Sequence, residues 1–447
     1  MGAKIGVGNG VRRIVRYLQK REASMKIAVM GSGYVGSVTG TCLAEYSHDV
    51  SLCDVDQAKV EKINQGISPI YEPGLEKLLK KNIEMGKLKA STKIEEEVVS
   101  ADAVMICVGT PSQKNGETDL GYVMSAAKDI AKAIRLREDY LLVIIKSTVP
   151  PTTTNQISEA IEKESGKKEG VGFGTVMNPE FLREGKAIFD FKNPDRIIMG
   201  VRRKSDERIM RQIYAGIRCP ILVCDPSTAE MIKYASNSML ATKISFSNEI
   251  ANVCKKLGLE TFQVMEGIGL DKRIGKQFLN PGIGFGGSCF PKDVSSLVHN
   301  MKKTSVEPRL LSAVLEVNEK QPKKFIESVE NKLGRLPKKA AVLGLAFKPD
   351  TDDIRESPAV KIIDECMKRG VGIKAYDPKA MANAKKLFAK KIEYGKGLSD
   401  TLEFSDVVFV LTDWEEFKNI KLYKNKIVFE GRRIFEETPE NFEGICW

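Results

Sequence analysis

The sequence predicts an α/β protein: two doubly wound parallel sheets joined by a long central helix. Three observations predict it. A strand, a glycine loop, a helix, a second strand and an acid follow one another from Lys26 to Asp54. The same order returns, without the glycines, from Ala340 to Asp377. Between them, Glu230–Lys256 carries apolar residues at three- and four-residue intervals with no glycine or proline, an amphipathic helix too long for a simple crossover. The expected divisions are a basic extension over 1–24, a first sheet domain over 25–220, a helical and dimer-forming region over 221–334, and a second sheet domain over 335–447.

A chain of 447 residues has room for two or three domains with ample core. No apolar run approaches the ~20 residues that a membrane helix needs. No signal-peptide core follows the basic start, so no membrane partner is expected. The nine cysteines are scattered, with no Cys-x-x-Cys pair and no Cys/His ligand spacing. That usage suits reduced thiols in a cytoplasm and argues against zinc, and no metal site is expected. Part of the formal charge of +11 sits at the start, where Lys4, Arg12, Arg13, Arg16, Lys20 and Arg21 face Glu22 alone. The remaining surplus suits anionic small molecules. With no aromatic-interleaved basic ribbon, no nucleic-acid partner is expected.

In chain order, residues 1–24 precede the fold. Gly6-Val-Gly8-Asn-Gly10 mimics a phosphate loop but no strand leads into it, and Arg12–Lys20 has the makings of a short basic helix. An added tail, or an upstream start with Met25 as the working one, is expected for this segment, with a partner or membrane-surface contact as the alternative. Lys26–Met30 then reads as a buried strand, Gly31-Ser-Gly33-Tyr34-Val35-Gly36 opens a helix, and Asp49–Cys53 is a strand ending at Asp54. In that setting G-x-G-x-x-G is the dinucleotide fingerprint of a Rossmann-like domain. Gly31 makes the turn, Gly33 admits the pyrophosphate to the helix N-terminus, and Gly36 lets helix and sheet pack. Asp54 suits the ribose hydroxyls and repels a 2′-phosphate, so NAD is expected rather than NADP, with Lys59 counted among the cofactor-binding residues.

Ala103–Val108 and Leu141–Ile145 read as further strands, ending at Gly109-Thr110-Pro111 and Lys146-Ser147-Thr148. Carboxyl ends of parallel strands line the ligand crevice, which places Thr110, Ser147 and Thr148 against cofactor or substrate. Helix capping is an equal reading for Ser147. Glu180 and Glu184 of Asn178-Pro-Glu-Phe-Leu-Arg-Glu-Gly185 come to the same edge, although solvated carboxylates are the default there. On the long helix, Lys233 and Asn237 lie four apart and share a face.

The run Gly284-Phe-Gly286-Gly287-Ser288-Cys289-Phe290-Pro291-Lys292-Asp293 holds the chemistry. Its glycines allow close approach of a ligand, and Pro291 suits the first turn of a helix. Cys289 then stands at a helix N-terminus, where the dipole favours a thiolate, with Lys292 one turn on and Asp293 able to handle a proton. A buried small cysteine in a tight turn is the plainer alternative. A helix is expected over Arg309–Leu333. In the last third, Ala340–Leu345, helix Ala359–Lys368 and Gly372–Tyr376 with Asp377 form a degenerate copy of the first fold, followed by strands at Asp406–Leu411 and Lys426–Phe429. A loop with Lys348, and Arg433 after the last strand, suit an anionic ligand such as a second nucleotide.

NAD and a reactive cysteine together suggest hydride transfer with a covalent acyl intermediate. The only histidines, His48 and His299, are poorly placed as bases, so proton transfer falls to Lys, Asp, Glu or water. Five motifs occur in order: GSGYVG at 31–36, KSTVP at 146–150, NPEFLREG at 178–185, FLNPGIGFGGSCFPKD at 278–293 and GLAFKPDTDDIRESPA at 344–359. Together they resemble the UDP-glucose/GDP-mannose dehydrogenase family over residues 25 to about 435. Ser288 before the cysteine is similar to the UDP-glucose branch, since relatives that oxidise N-acetylated sugars usually have histidine there.

The resemblance implies a four-electron oxidation of UDP-glucose at C6 to UDP-glucuronate with two NAD, in nucleotide-sugar and polysaccharide metabolism. It implies that Cys289 captures the aldehyde as a thiohemiacetal and carries the later thioester. Lys233, Asp293, Asn237, Thr148 and Glu180 are implied to manage water, protons and the oxyanion. Glu180, Phe181, Leu182, Lys233, Asn237, Phe278, Leu279, Asn280, Pro281, Gly282, Gly286, Phe347, Lys348 and Arg433 are implied to hold the sugar nucleotide. Arg273 joins them, reaching in from a neighbouring subunit of a homodimer or larger homo-oligomer. Glu184, Lys292 and Arg355 are implied to border NAD, alongside Gly31, Gly33, Tyr34, Val35, Gly36, Asp54, Lys59, Thr110, Ser147 and Thr148. The alternatives are a UDP-N-acetyl-hexosamine or GDP-mannose dehydrogenase, and a non-catalytic subunit that senses NAD or a sugar nucleotide.

Overall fold

The computed structural model describes residues 24–435 and 439–447, so the basic extension lies outside the described residues except for Ser24. The chain divides into two compact units between Tyr234 and Ala235, inside the helix Pro226–Leu257.

The first unit is built on β1 (Lys26–Met30), β2 (Asp49–Cys53), β3 (Leu88–Ser91), β4 (Ala103–Ile106), β5 (Leu141–Ile145), β6 (Phe173–Met177), β7 (Ile197–Gly200) and β8 (Ile221–Cys224). Their order is β3-β2-β1-β4-β5-β6-β7-β8, parallel except for the β6–β7 pairing. Residues of β5 are buried on both faces: Leu142 and Ile144 join one core, Leu141, Val143 and Ile145 the other. Covered faces on both sides are what a parallel sheet requires. Each such side chain contributes roughly 1.5–3 kcal/mol on burial. In register, Lys26 pairs with Asp49 and Met30 with Cys53, which sets Gly31 and Asp54 side by side. The fourth strand stops at Ile106, two residues short of the sequence expectation. The amide of Cys107 makes the last bond, to Met30 O at 2.8 Å, before the chain turns away.

The second unit contains β9 (Lys339–Leu343), β10 (Gly372–Tyr376), β11 (Glu393–Tyr394), β12 (Val407–Val410), β13 (Ile427–Glu430) and β14 (Phe442–Gly444). Their order, β11-β10-β9-β12-β13-β14, is parallel throughout and repeats the order of the first six strands of the other sheet. The expectation of two doubly wound sheets therefore holds. The copies diverge at the acid. Asp377 follows β10 as Asp54 follows β2, but it is fully buried and accepts from the amides of Leu345, Ala346, Lys379 and Ala380 and from the Trp414 indole. Its acceptor capacity is consumed in closing its own loop, leaving nothing for a ribose. Helix Arg309–Leu333 matches its expected bounds, and among the described residues no helix is long and apolar enough to cross a membrane.

Candidate active site

In the first unit the glycine loop joins β1 to helix Tyr34–Glu45. Gly31 has φ +93°, a conformation that glycine adopts without strain. A Cβ on Gly36 would lie 1.8 Å from Gly31 O, so no side chain fits there, whereas Gly33 faces open space. The helix has no side-chain cap, which leaves its first amides directed at an incoming anion. At the neighbouring strand end, Asp54 Oδ2 accepts from the Ser32 amide (2.9 Å), the Ser32 hydroxyl (2.6 Å) and Lys59 Nζ (3.0 Å). Burial raises the Asp54 pKa, but these bonds outweigh it and hold the carboxyl down at about 2. Loop, helix end and ionised acid fit a dinucleotide with a free ribose.

The Asp54 shift also has a consequence for stability. Its folded pKa lies below the ordinary ~3.9, so its contribution is present above pH ~4 and lost as pH falls toward 2. Asp54→Asn is therefore expected to cost about 2 kcal/mol at pH 7, with the gap to wild type closing below pH ~2 in denaturant titrations.

Thr110 is buried beyond β4 and Thr148 is half-buried beyond β5. The Ser147 hydroxyl donates to Ile106 O at 3.2 Å and Val108 O at 2.7 Å, bracing the neighbouring strand end and leaving its lone pairs able to accept. Glu180 is not solvated, as its sequence default had it. It is buried, accepts from Lys233 Nζ at 3.0 Å and from the Leu182 amide at 2.6 Å, and is held below the usual carboxylate range. Burial pushes its pKa up, but the charge of Lys233, the Leu182 amide and the charge of Lys146 together prevail. Its resting form is the base. The Phe181 ring lies 5.1 Å from Lys233 Nζ and 3.8 Å from the Arg196 guanidinium. Lys146, which sequence reading passed over, is buried on Asn178 and the Tyr214 hydroxyl. Glu184 and Val35 are half-buried.

In the second unit Cys289 occupies the N-cap of helix Phe290–Lys303, half-buried, with the Ser288 hydroxyl 3.6 Å from its sulfur. Burial pushes the thiols of Cys42, Cys53 and Cys366 up to about 12. Cys289 instead sits at an uncapped helix N-terminus, a setting that favours thiolate. Asp293, one turn on, is 1 % exposed; it accepts from Asn237 Nδ2 at 2.5 Å and pairs with Lys292. Edge contacts of Phe290 with Phe278 (6.2 Å) and Phe285 (5.9 Å) fix the start of this helix.

Asn248 Oδ1 accepts from the Gly282 amide, Gln321 Nε2 donates to Gly282 O, and Asn318 bonds both the amide and the carbonyl of Phe285. Leu279, Pro281 and Gly282 are buried, while Asn280 is exposed. A Cβ on Gly286 would stand 2.4 Å from Glu356 O and 3.1 Å from Phe347 Cβ. Gly286→Ala is therefore expected to displace the cysteine loop and lower kcat by about 100-fold, read in steady-state assays beside an unchanged far-ultraviolet dichroism spectrum.

The basic residues differ in what they face. Lys348 lies 5.6 Å from the Phe347 ring, and Arg355 is bidentate on Asp353. Arg273 is 89 % exposed and clasps Asp271. Arg433 stacks 4.1 Å from the Phe262 ring and donates to Phe435 O. Its neighbour Arg432 reaches the cysteine loop instead, donating to Gly284 O. The arginine pair after β13 was the available signal, but sequence could not say which member turned inward.

Comparison with known proteins agrees with this geometry. Three family models match in order: the NAD binding domain of the UDP-glucose/GDP-mannose dehydrogenase family over 25–218, its central domain over 227–320 and its UDP binding domain over 341–437. The UDP-glucose 6-dehydrogenase TuaD of Bacillus subtilis is 41% identical over 417 residues, 92% of this chain and 89% of that protein. The UDP-glucose 6-dehydrogenase AglM of Haloferax volcanii is 40% identical, covering 92% and 97%. A solved UDP-glucose dehydrogenase from the archaeon Pyrobaculum islandicum superposes with a TM-score of 0.90 at 38% identity, covering 96% of this chain and 98% of that one. A UDP-D-ManNAc dehydrogenase from Pyrococcus horikoshii superposes at 0.83 with 29% identity, covering 94% and 99%.

Proposed function

This chain belongs to the UDP-glucose/GDP-mannose dehydrogenase family, and from that premise we propose that it oxidises UDP-glucose at C6 to UDP-glucuronate, consuming two NAD. The observation that carries this reading is Cys289 at a helix N-terminus with Asp293 fixed one turn away by Asn237 and Lys292.

NAD accepts a hydride at each of the two oxidations. Gly33 and the Tyr34–Glu45 helix end receive its pyrophosphate, Asp54 its ribose, and Thr110, Ser147, Thr148 and Glu184 border it. Lys292 and Arg355 complete that border. The loop 278–282 with Gly286, Phe347, Lys348 and Arg433 holds the sugar nucleotide, joined by Phe181 and Leu182. Glu180, a carboxylate at rest, takes the proton of the C6 hydroxyl through Lys233 or water as the alcohol becomes an aldehyde. The Cys289 thiolate adds to the aldehyde carbon, giving a thiohemiacetal whose oxyanion Lys233 and Asn237 stabilise. Loss of the second hydride leaves a thioester. Water, deprotonated with help from Asp293 or Glu180, attacks that carbon; the C–S bond breaks, and carboxylate and thiolate are released.

We further read the chain as a cytoplasmic homodimer or larger homo-oligomer. Met239, Phe246, Val253 and Leu257 recur along one face of the long helix at 59%, 48%, 50% and 65% exposure, an apolar stripe suited to a second copy, and the exposed Arg273 would exchange its clasp on Asp271 for the neighbour's ligand. Phe246→Glu is expected to shift the protein to monomer in sedimentation, whereas an unchanged assembly would place the interface elsewhere.

The functional test is a panel of UDP-glucose, UDP-N-acetyl-hexosamines and GDP-mannose with NAD, following NADH. Two NADH per UDP-glucose is expected. Activity confined to an N-acetylated sugar or GDP-mannose would reassign the substrate, and no turnover with any sugar would leave a sensing subunit.

A further inference from the structure

Glu72 belongs to none of the motifs above, yet it joins two of them. It sits in Tyr71-Glu72-Pro73-Gly74, immediately before helix Leu75–Glu84, and is 5 % exposed. Its Oε2 accepts from the Tyr34 hydroxyl and from the Gly185 amide at 2.7 Å; its Oε1 accepts from the Ala187 amide at 2.7 Å. The Gly185 amide also reaches the Tyr34 oxygen at 3.1 Å. Tyr34 opens the helix after the glycine loop, and Gly185 and Ala187 close the segment that carries Glu180, Phe181, Leu182 and Glu184. One buried carboxylate thus grips both segments through charge-assisted bonds, roughly twice as strong as neutral ones. Burial, followed by the bond and charge of Glu72, keeps the Tyr34 phenol protonated and therefore a donor. A shift of either segment must stretch bonds to the other, because the buried carboxylate is shared between them and water does not reach it to replace a lost bond.

We propose that Glu72 is a positioning residue that couples the NAD-binding loop to the sugar-nucleotide-binding segment, so that occupancy of one favours occupancy of the other. This rests on the proposed function for which ligand each segment meets. By linkage the coupling is reciprocal and appears as a ratio of dissociation constants.

The test is calorimetric binding of NADH to the full chain with and without UDP-glucose, a pair that cannot react. Wild type is expected to bind NADH about 5-fold or more tightly when UDP-glucose is present. Glu72→Gln keeps the shape but presents an amide N–H to the facing donors. It is expected to bring that ratio close to one and to raise KM for both NAD and UDP-glucose. Glu72→Asp, which keeps the charge, should recover part of the coupling, and Tyr34→Phe, which cuts one arm, should weaken it. A wild-type ratio of one overturns the proposal. So does a Glu72→Gln variant whose melting temperature falls while ratio and KM values stay as in wild type, since Glu72 would then be a brace only. Failure of the substrate reading would show instead as no NADH formation from UDP-glucose by the wild-type chain, and the coupling ratio would then be read with whichever sugar nucleotide is turned over.

Discussion

Cys289→Ser is expected to lower UDP-glucuronate formation by on the order of 10⁴-fold or more while NAD and UDP-glucose still bind. The reason lies in the atom replaced. A thiol with an ordinary pKa of ~8.5 is already a few per cent thiolate at neutral pH, and a helix N-terminus raises that share. A serine hydroxyl at the same cap is not ionised at any pH the protein tolerates, and Asp293 is already engaged by Asn237 and Lys292. Because the thiolate is needed only after the first hydride has left, the first oxidation is affected less than the second. NADH yield per UDP-glucose should fall from two toward one or none. Two NADH per sugar at the wild-type rate in Cys289→Ser would remove the covalent route.

Lys233→Met is the second large effect, expected in stability and turnover together. Glu180 and Lys233 are both nearly inaccessible to water and 3.0 Å apart, so removing the ammonium leaves a buried carboxylate whose desolvation is opposed by the Leu182 amide and by Lys146. Breaking such a pair from one side costs about 3–5 kcal/mol. The pH dependence carries the sign. In wild type the Glu180 pKa is depressed, so its contribution is present above the unfolded value of ~4.3 and lost as pH falls through the folded one. In Lys233→Met burial dominates and the folded pKa rises, so the variant loses stability as pH climbs above ~4.3. The gap between the two proteins should widen from pH 4 to 7 in denaturant titrations, and kcat should fall by about 100-fold or more. A constant gap across that range would mean the carboxylate does not depend on Lys233.

Local periodicity made much of this molecule legible. Lys26–Met30, the glycine loop, Asp49–Cys53 and Asp54 were readable because each signal lies within a few residues of the next. The second sheet was readable for the same reason, even without its glycines. Legibility ended where distant segments meet. Glu180 reads as a solvated acid because its partner stands 53 positions away. Glu72 carried no signal, since its burial exists only after Tyr34 and Gly185 have folded against it. Asp377 reads as a twin of Asp54, and only the amides of Leu345 and Ala346 and the Trp414 indole reveal that its capacity is consumed. Arg432 and Arg433 are indistinguishable in sequence, yet one turns to Gly284 and the other to Phe262.

The most direct measurement of the central claim is mass spectrometry of the protein quenched in acid during turnover with UDP-glucose and NAD. A fraction of the chain should carry the mass of the oxidised sugar nucleotide on the peptide containing Cys289, and this adduct should disappear in Cys289→Ser and on exhaustion of substrate. Full turnover with an unmodified Cys289 at every quench time, or an adduct confined to another cysteine, would contradict it.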